Sequence, residues 1–183
     1  MTQVAPVTPD VRRARVAWRD YDHEIEYAWV GVTDPLAPVM VFLHEGLGSL
    51  ALWKDFPHEL ASPTGFRGLV FSRWGYGQSS PRPHDLRWPV DFMHQQAYDF
   101  LPAFFEAIGI DTLADPPWFF GHSDGGTIAL LYASAYPSRT AGLIVAAPHI
   151  FVETICTDSM AEARQAYLNT DLPQKLGRYH ADP

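Results

Sequence analysis

The stretch Trp-Phe-Phe-Gly-His-Ser-Asp-Gly-Gly at residues 118–126 decides the fold. It opens with a short apolar run typical of a buried strand, and helical spacing follows at residues 127–135. The pattern Gly-x-Ser-x-Gly between a strand and a helix predicts a sharp turn with Ser123 at its tip. Glycine two residues before and two residues after the serine prevents side-chain collisions across that turn. We therefore predict that Ser123 is a nucleophile.

Two backbone amides are candidate donors to a negatively charged oxygen beside Ser123. The helix after the turn points its free N–H groups at the serine, so the amide of Asp124 can stabilise an oxyanion. A second donor is expected from the loop at residues 44–48, His-Glu-Gly-Leu-Gly, which follows an earlier apolar run. We predict the amide of Gly46 for this role, with that of Glu45 as the second choice.

Apolar runs alternate with helical segments through the middle of the chain. The runs at residues 39–43, 68–71, 118–120 and 142–147 predict strands buried on both faces. Helical spacing marks residues 50–60, 93–108 and 127–135, with Pro102 expected to kink its helix or mark its true start. This alternation predicts parallel strands joined by right-handed crossovers.

The two ends of the chain follow other patterns. Residues 15–18 and 24–32 predict a β-hairpin, and residues 1–10 are expected to be a mobile lead-in. After Pro148 the alternation stops. Ser159 and Glu162 fit a capping box that opens a helix through about Leu168, and Asp171 is expected to cap a last helix at residues 172–179.

These features together resemble the α/β-hydrolase superfamily. The resemblance rests on the hairpin, the loop at residues 44–48, the serine turn, and the octet Ser-Arg-Trp-Gly-Tyr-Gly-Gln-Ser at residues 72–79, which is similar to the family's D-x-R-G-x-G-x-S pattern. It covers residues 15–148 and implies an α/β-hydrolase fold, a mostly parallel sheet with helices on both faces. It also implies a core at residues 1–148 and the start of a helical lid or cap at residues 149–183, after which the fold looks truncated.

The resemblance also implies a catalytic acid and then a histidine later in the chain than the nucleophile. We expect both beyond Pro183 and interpret the chain as the N-terminal two-thirds of a longer or split hydrolase. A weaker alternative places His149 against Ser123, with Glu153 or Asp158 as the orienting carboxylate. We favour instead a His149 that lines the pocket or caps the strand.

The neighbouring histidines are given structural roles. His44, at the end of a strand, is expected to hydrogen-bond the loop backbone, and the side chain of His122 must point away from that of Ser123. If the sheet ends at the strand of residues 142–147, that strand is an apolar edge, which predicts self-association with another chain.

The composition argues against several other functions. The 183 residues are 47% hydrophobic and carry 13 basic and 21 acidic side chains, for a net charge of −8. This balance argues against a nucleic-acid partner, because binding phosphates needs a basic face. No apolar run approaches the ~20 residues of a membrane span and no signal peptide is evident, so a cytoplasmic location is expected. One cysteine, Cys156, and scattered histidines predict no disulfide and no metal site, and no cofactor is implied.

Two alternatives to a working hydrolase remain open. The segment Gly-Leu-Gly-Ser-Leu-Ala at residues 46–51 matches the dinucleotide pattern G-x-G-x-x-A. That pattern requires an acidic residue about 20 positions on, or an arginine for a 2′-phosphate, and Ser72 and Arg73 stand there. This oxidoreductase alternative explains neither the hairpin nor the serine turn. The other alternative is a hydrolase-like shell that lacks its base and only binds a ligand.

The resemblance thus implies a serine hydrolase that acts on a small carboxylic ester, lactone or similar acyl substrate. Ser123 would form an acyl-enzyme, the amides of Gly46 and Asp124 would hold the oxyanion, and water would release the acid. Serine rather than aspartate at this position argues against haloalkane dehalogenase or epoxide hydrolase chemistry. Side chains near loop positions are predicted to line an apolar or aromatic acyl pocket: Glu45, Trp53, Trp74, Tyr76, His149 and Phe151. The alternative that the aromatic residues among them pack the loops and the core stays open.

Overall fold

A single six-stranded sheet organises the molecule. The computed structural model describes residues 10–182. Its strands are β1 (Val11–Trp18), β2 (Tyr21–Gly31), β3 (Val39–Leu43), β4 (Arg67–Phe71), β5 (Trp118–His122) and β6 (Gly142–Ala146). They lie in the order β1-β2-β4-β3-β5-β6. The neighbours β4, β3, β5 and β6 pair in parallel, while β2 pairs antiparallel with both β1 and β4. The predicted mostly parallel α/β fold is confirmed.

Helices cover both faces of this sheet. The helices of the described chain are α1 (Phe56–Thr64), α2 (Phe92–Gln95), α3 (Leu101–Ala107), α4 (Asp124–Ala135), α5 (Thr154–Asn169) and α6 (Leu172–Leu176), of which α1, α3 and α4 pack against the strands. Successive residues of β3 point to opposite faces, as in any strand. Met40 and Phe42 pack toward α1, while Val41 and Leu43 pack toward α3 and α4. Because both faces are covered, β3 has no exposed residue, which explains its unbroken apolar sequence.

The hairpin at the start of the described chain is longer than predicted. β1 and β2 pair from Val11 opposite Ala28 to Trp18 opposite Tyr21, so only Arg19 and Asp20 form the turn. Both turn residues have positive φ, 52° and 54°, as a tight two-residue hairpin turn requires. The polar residues after the turn belong to β2. The lead-in expected at residues 1–10 lies outside the described residues, apart from Asp10.

The helix around Pro102 shows how the chain accommodates a proline. A π-helical turn at Gln96–Phe100 separates α2 from α3, and Pro102 lies in the first turn of α3, where its missing N–H is tolerated. Without that N–H, the carbonyl of Tyr98 has no α-helical partner four residues on. The hydroxyl of Tyr136 donates to this carbonyl at 2.8 Å instead. Pro102 therefore marks neither a new helix start nor a gap, because the helical run is continuous from Phe92 to Ala107 and changes from π- to α-helical geometry at Leu101.

Three helix boundaries were predicted wrongly. The segment at residues 50–60 forms a 3₁₀ turn at Ala51–Trp53 and then α1, because Lys54 between them has a φ of 51°. The helix α5 begins at Thr154, so Ser159 lies inside it and forms no capping box. Asp171 is the N-cap residue of α6, but its side chain pairs with Lys175 and the helix ends at Leu176.

One edge of the described sheet is formed by β6. Ile144 in this strand is 40% exposed, in keeping with the edge position that the sequence analysis considered. Self-association through this edge remains a prediction. Within residues 10–182, no helix is both long enough and apolar enough to cross a membrane.

Candidate active site

Ser123 occupies the sharp turn between β5 and α4. Its φ of 53° and ψ of −119° are strained for a side-chain-bearing residue, and its N–H is held by the carbonyl of Ala146 at 2.9 Å. A Cβ on Gly121 would lie 2.5 Å from the carbonyl oxygen of Gly125, so a larger residue would force the turn open. The sequence-based reason for glycine on either side of the serine is therefore visible in the structure.

His149 lies against the serine hydroxyl. Its Nε2 is 2.9 Å from the Oγ of Ser123, the arrangement that the sequence analysis gave as the weaker alternative. The other ring nitrogen, Nδ1, is 3.9 Å from the Sγ of Cys156, which in turn is 3.9 Å from a carboxylate oxygen of Glu153. The sulfur of Cys156 therefore contacts both the imidazole ring of His149 and the carboxylate of Glu153.

Thr127, one turn along α4 from the serine, fixes the backbone of His149. The hydroxyl of Thr127 accepts a hydrogen bond from the N–H of His149 at 2.8 Å and donates to its carbonyl at 3.1 Å. Because Ser123 and Thr127 lie one helical turn apart at the start of α4, these bonds fix the backbone of His149 relative to the serine. The side chain of His149 is only 28% exposed, which further restricts its motion.

The predicted oxyanion donors lie beside the serine. Gly46 is the second residue of a tight turn closed by a hydrogen bond from the N–H of Gly48 to the carbonyl of Glu45 at 3.1 Å. A Cβ on Gly46 would lie 3.1 Å from Oδ2 of Asp124, so the two loops approach closely there. Gly46, Ser123 and Asp124 all line one depression of about 610 Å³, which Leu47, Ile155 and Met160 complete with apolar side chains.

Beneath these loops lie buried charged and polar groups. Arg73 is almost fully buried, and its Nη2 lies 3.7 Å from Oδ2 of Asp124. Oδ1 of the same carboxylate is 3.6 Å from Nε2 of His149. His44 donates from Nδ1 to the carbonyl of Glu45 at 2.7 Å, which confirms its predicted structural role. Burial, followed by the nearby charge of Arg73, holds the pKa of His44 well below its ordinary value.

His180 connects two loops near the site. Its Nδ1 accepts a hydrogen bond from the N–H of Gly77 at 2.9 Å, and its Nε2 is 3.1 Å from the carbonyl of Leu47. Burial lowers its pKa. No role was predicted for His180, and Arg73 was predicted only as a dinucleotide ligand. The one signal for Arg73 was its place in the octet at residues 72–79, next to a strand end.

The predicted pocket residues separate into two groups. Glu45 and His149 line the depression around Ser123. Trp74 does not reach it, because its ring is buried against Trp18, His23 and Trp88. Two further aromatic predictions lie elsewhere as well: Trp53 stacks on Phe56, and Tyr76 lies against His44 and Arg73. Phe151 lines a neighbouring groove with Val90 and Met93, and His149 borders both this groove and the depression.

The fold is that of an α/β protein in which the serine turn lies at the carboxyl ends of the parallel strands. The chain belongs to the alpha/beta hydrolase fold family, whose model matches residues 38–182. No curated protein matches the chain significantly.

Solved structures share this fold. Carboxylesterase CesB from Bacillus subtilis is 20% identical with a TM-score of 0.65, and the match covers 88% of this chain and 53% of that one. A carboxylesterase from Nitrososphaera gargenis is 19% identical, with a TM-score of 0.63 and coverage of 81% and 50%. A hydrolase from Pseudomonas aeruginosa is 18% identical, with a TM-score of 0.61 and coverage of 85% and 52%. The chain thus spans about half the length of these three structures.

Proposed function

We propose that the chain is a serine hydrolase that cleaves small carboxylic esters, lactones or similar acyl substrates through an acyl-enzyme on Ser123. The observation that carries the proposal is the 2.9 Å hydrogen bond between the Oγ of Ser123 and Nε2 of His149 at a strained strand-to-helix turn. A serine hydroxyl is a weak nucleophile until a neighbouring base takes its proton. His149 is in position to do so.

The proposed reaction has two halves. The Oγ of Ser123 attacks the carbonyl carbon while its proton passes to His149, and the carbonyl oxygen becomes an oxyanion that accepts hydrogen bonds from the amides of Gly46 and Asp124. The C–O bond to the leaving alcohol then breaks, and that alcohol takes the proton from His149. In the second half, a water molecule loses a proton to His149 and attacks the acyl carbon. The bond between the acyl carbon and Oγ of Ser123 then breaks, the acid is released, and Ser123 takes the proton back from His149.

The surroundings of the serine favour an uncharged acyl group. The depression is lined by apolar side chains from α5 and by Leu47, together with the carboxylates of Glu45 and Asp124. Carboxylates there repel an anionic substrate more than a neutral one. Two of the similar structures are carboxylesterases, which agrees with this class of substrate.

The base has two possible sources. A histidine and an acid beyond Pro183, as the family resemblance implies, remain a prediction. Within the described residues, His149 already contacts the serine, although Nδ1 faces a sulfur rather than a carboxylate. Disturbing the orienting aspartate of a serine triad lowers kcat on the order of 10⁴-fold. We therefore expect slow turnover from the Ser123–His149 pair by itself.

Labelling with a fluorophosphonate, followed by mass spectrometry of the peptide that contains Ser123, tests the proposal. Wild type should be labelled and Ser123→Ala should not. His149→Gln should react about 10²-fold more slowly, since removing the base of a serine triad costs about 10⁶ in kcat and the missing orienting carboxylate already accounts for about 10⁴ of it. His122→Gln is the matched control, because this histidine adjoins the serine yet is 46% exposed and faces Glu45.

The outcomes separate the alternatives. Equal labelling of wild type and Ser123→Ala would refute Ser123 as the nucleophile and favour the ligand-binding shell. Normal labelling of His149→Gln would mean that another histidine acts as the base, with Ser123 still the nucleophile. The dinucleotide alternative gains no support from the structure, since the glycine loop enters a 3₁₀ turn rather than the start of a helix.

A further inference from the structure

Arg73, the second residue after β4, touches both loops that carry the proposed oxyanion donors. We infer that it is a positioning residue that fixes the amides of Gly46 and Asp124 in place, an inference that rests on the proposed function. Its Nη2 donates to the carbonyl of Glu45 at 3.0 Å and lies 3.7 Å from Oδ2 of Asp124. With its side chain only 2% exposed, the guanidinium bridges the two loops from below.

The contact with Glu45 controls the direction of the Gly46 amide. The carbonyl of Glu45 accepts three hydrogen bonds, from the N–H of Gly48 at 3.1 Å, Nη2 of Arg73 at 3.0 Å and Nδ1 of His44 at 2.7 Å. In a trans peptide, the carbonyl and the following N–H point in opposite directions within one plane. Holding the Glu45 oxygen from one side therefore aims the Gly46 N–H to the other side.

Arg73 also fixes the protonation of His44. The backbone N–H of Arg73 donates to Nε2 of His44 at 3.1 Å, so Nε2 must carry a lone pair. The neutral ring then holds its proton on Nδ1, which is the nitrogen that donates to Glu45. Burial and the guanidinium charge both disfavour a second proton on the ring. The backbone and the side chain of Arg73 thus act on the same carbonyl by two routes.

The contact with Asp124 meets an electrostatic requirement. The carboxylate of Asp124 lies close to Gly46, so it would oppose a negative oxygen between the two amides. The guanidinium of Arg73 places an opposite charge against that carboxylate. Loss of Arg73 would leave the carboxylate free to repel the oxyanion and to leave its place beside the glycine loop.

The environment of Arg73 is poorly suited to a purely structural role. Its Nε is buried and has no hydrogen-bond partner among the described residues, and its charge lies over the ring of Tyr76 at 4.7 Å. An unsatisfied buried donor costs about 1–3 kcal/mol. Replacing buried ionic groups by well-packed apolar side chains is often neutral or stabilising. The guanidinium is therefore explained better by what it orients than by what it adds to stability.

The experiment compares Arg73→Met and Arg73→Lys with the matched control Arg67→Met. Arg67 is the first residue of β4, lies over Trp29 at 4.3 Å and donates to one backbone carbonyl, that of Pro35, at 3.1 Å. Hydrolysis of p-nitrophenyl butyrate gives kcat and KM. Affinity for butylboronic acid reports the tetrahedral adduct on Ser123, in which a boron-bound oxygen replaces the oxyanion. Urea denaturation shows whether each variant folds.

Removing one oxyanion donor costs about 10²–10³-fold in kcat, so displacing the donors should cost about 10–10²-fold. We expect that loss in kcat and in boronic-acid affinity for both Arg73 variants, with KM nearly unchanged, and wild-type values for Arg67→Met. If Arg73→Met does not fold, Asp124→Asn, which keeps the backbone amide and removes the ion pair, should alter boronic-acid affinity relative to KM.

Two results would overturn the inference, and they are distinguishable. The positioning role is overturned if boronic-acid affinity and kcat fall no further in folded Arg73→Lys than in Arg67→Met. That result would leave hydrolysis by Ser123 intact. Equal hydrolysis by wild type and Ser123→Ala would overturn the proposed function and, with it, any oxyanion role for Arg73.

Discussion

Replacing Gly125 by alanine should damage both the fold and the site. A Cβ at this position would lie far inside van der Waals contact with the carbonyl of Leu43 and 2.8 Å from the carbonyl oxygen of His44, whereas ordinary contact begins at 3.4 Å. These are backbone atoms at the end of the central strand β3, so they cannot rotate away. The start of α4 would have to retreat from β3, and the serine would move with it.

The magnitude follows from a comparison with Gly126, the next residue of the same helix. Alanine at either position gains about 0.5–1 kcal/mol of helix stability over glycine. At Gly126 the nearest atoms to a Cβ are 3.2 Å away, on Gly121 and Pro148, so little has to move. Overpacking typically costs about 1–3 kcal/mol. The helix gain cancels in the comparison, so Gly125→Ala should be less stable than Gly126→Ala by about 1–3 kcal/mol.

Activity should separate the two variants further. A misplacement of about 1 Å at the reacting groups can cost on the order of 10²-fold in rate. Urea denaturation monitored by tryptophan fluorescence measures the first effect, and the rate of fluorophosphonate labelling on Ser123 measures the second. Equal urea midpoints and labelling rates for Gly125→Ala and Gly126→Ala would refute the packing argument.

Three further predictions test other parts of the molecule. Tyr136→Phe should lower the free energy of unfolding by about 1–3 kcal/mol, measured in urea, because the carbonyl of Tyr98 loses its donor. Because the pKa of His44 is lowered in the folded state, only the unfolded chain takes up this proton as the pH falls below about 6.5. The free energy of unfolding, measured in urea, should thus fall between about pH 7 and pH 5 by up to about 1.4 kcal/mol per pH unit for this histidine, and a constant value would contradict the prediction. Glu45 and Asp124 should make a p-nitrophenyl hemisuccinate a poorer substrate than the neutral butyrate, and the difference in kcat/KM should shrink in high salt.

The sequence predicts most accurately those features that depend on neighbouring residues. The turn at Ser123 is defined within nine residues, because a buried strand, two glycines and a helix start must all adjoin it. The structural role of His44 was predictable for the same reason, since the carbonyl it contacts belongs to the next residue. The change from π- to α-helical geometry beside Pro102 likewise involves the missing N–H of the proline.

Features that depend on distant residues were harder to predict. Trp74 stands next to a strand end, but three aromatic rings from other segments enclose it, so it does not reach the serine. The contact of His149 with Ser123 spans 26 residues and depends on where β6 lies beside β5. Arg73 acts through a side chain whose direction no local pattern reports.

Strand order explains why these distant residues meet. The loop of Gly46 leaves β3, Arg73 leaves β4, Ser123 leaves β5 and His149 follows β6, and these four strands are parallel neighbours in the order β4-β3-β5-β6. The connection after β3 runs outward to β4, while the connection after β5 runs the other way to β6. A crevice therefore opens at the carboxyl ends between β3 and β5, where ligands of such sheets bind. Gly46 and Ser123 face each other across that crevice. Arg73 and His149, each contributed by the strand one place further out, contact the two loops from either side, so the outer strands fix the geometry of the inner ones.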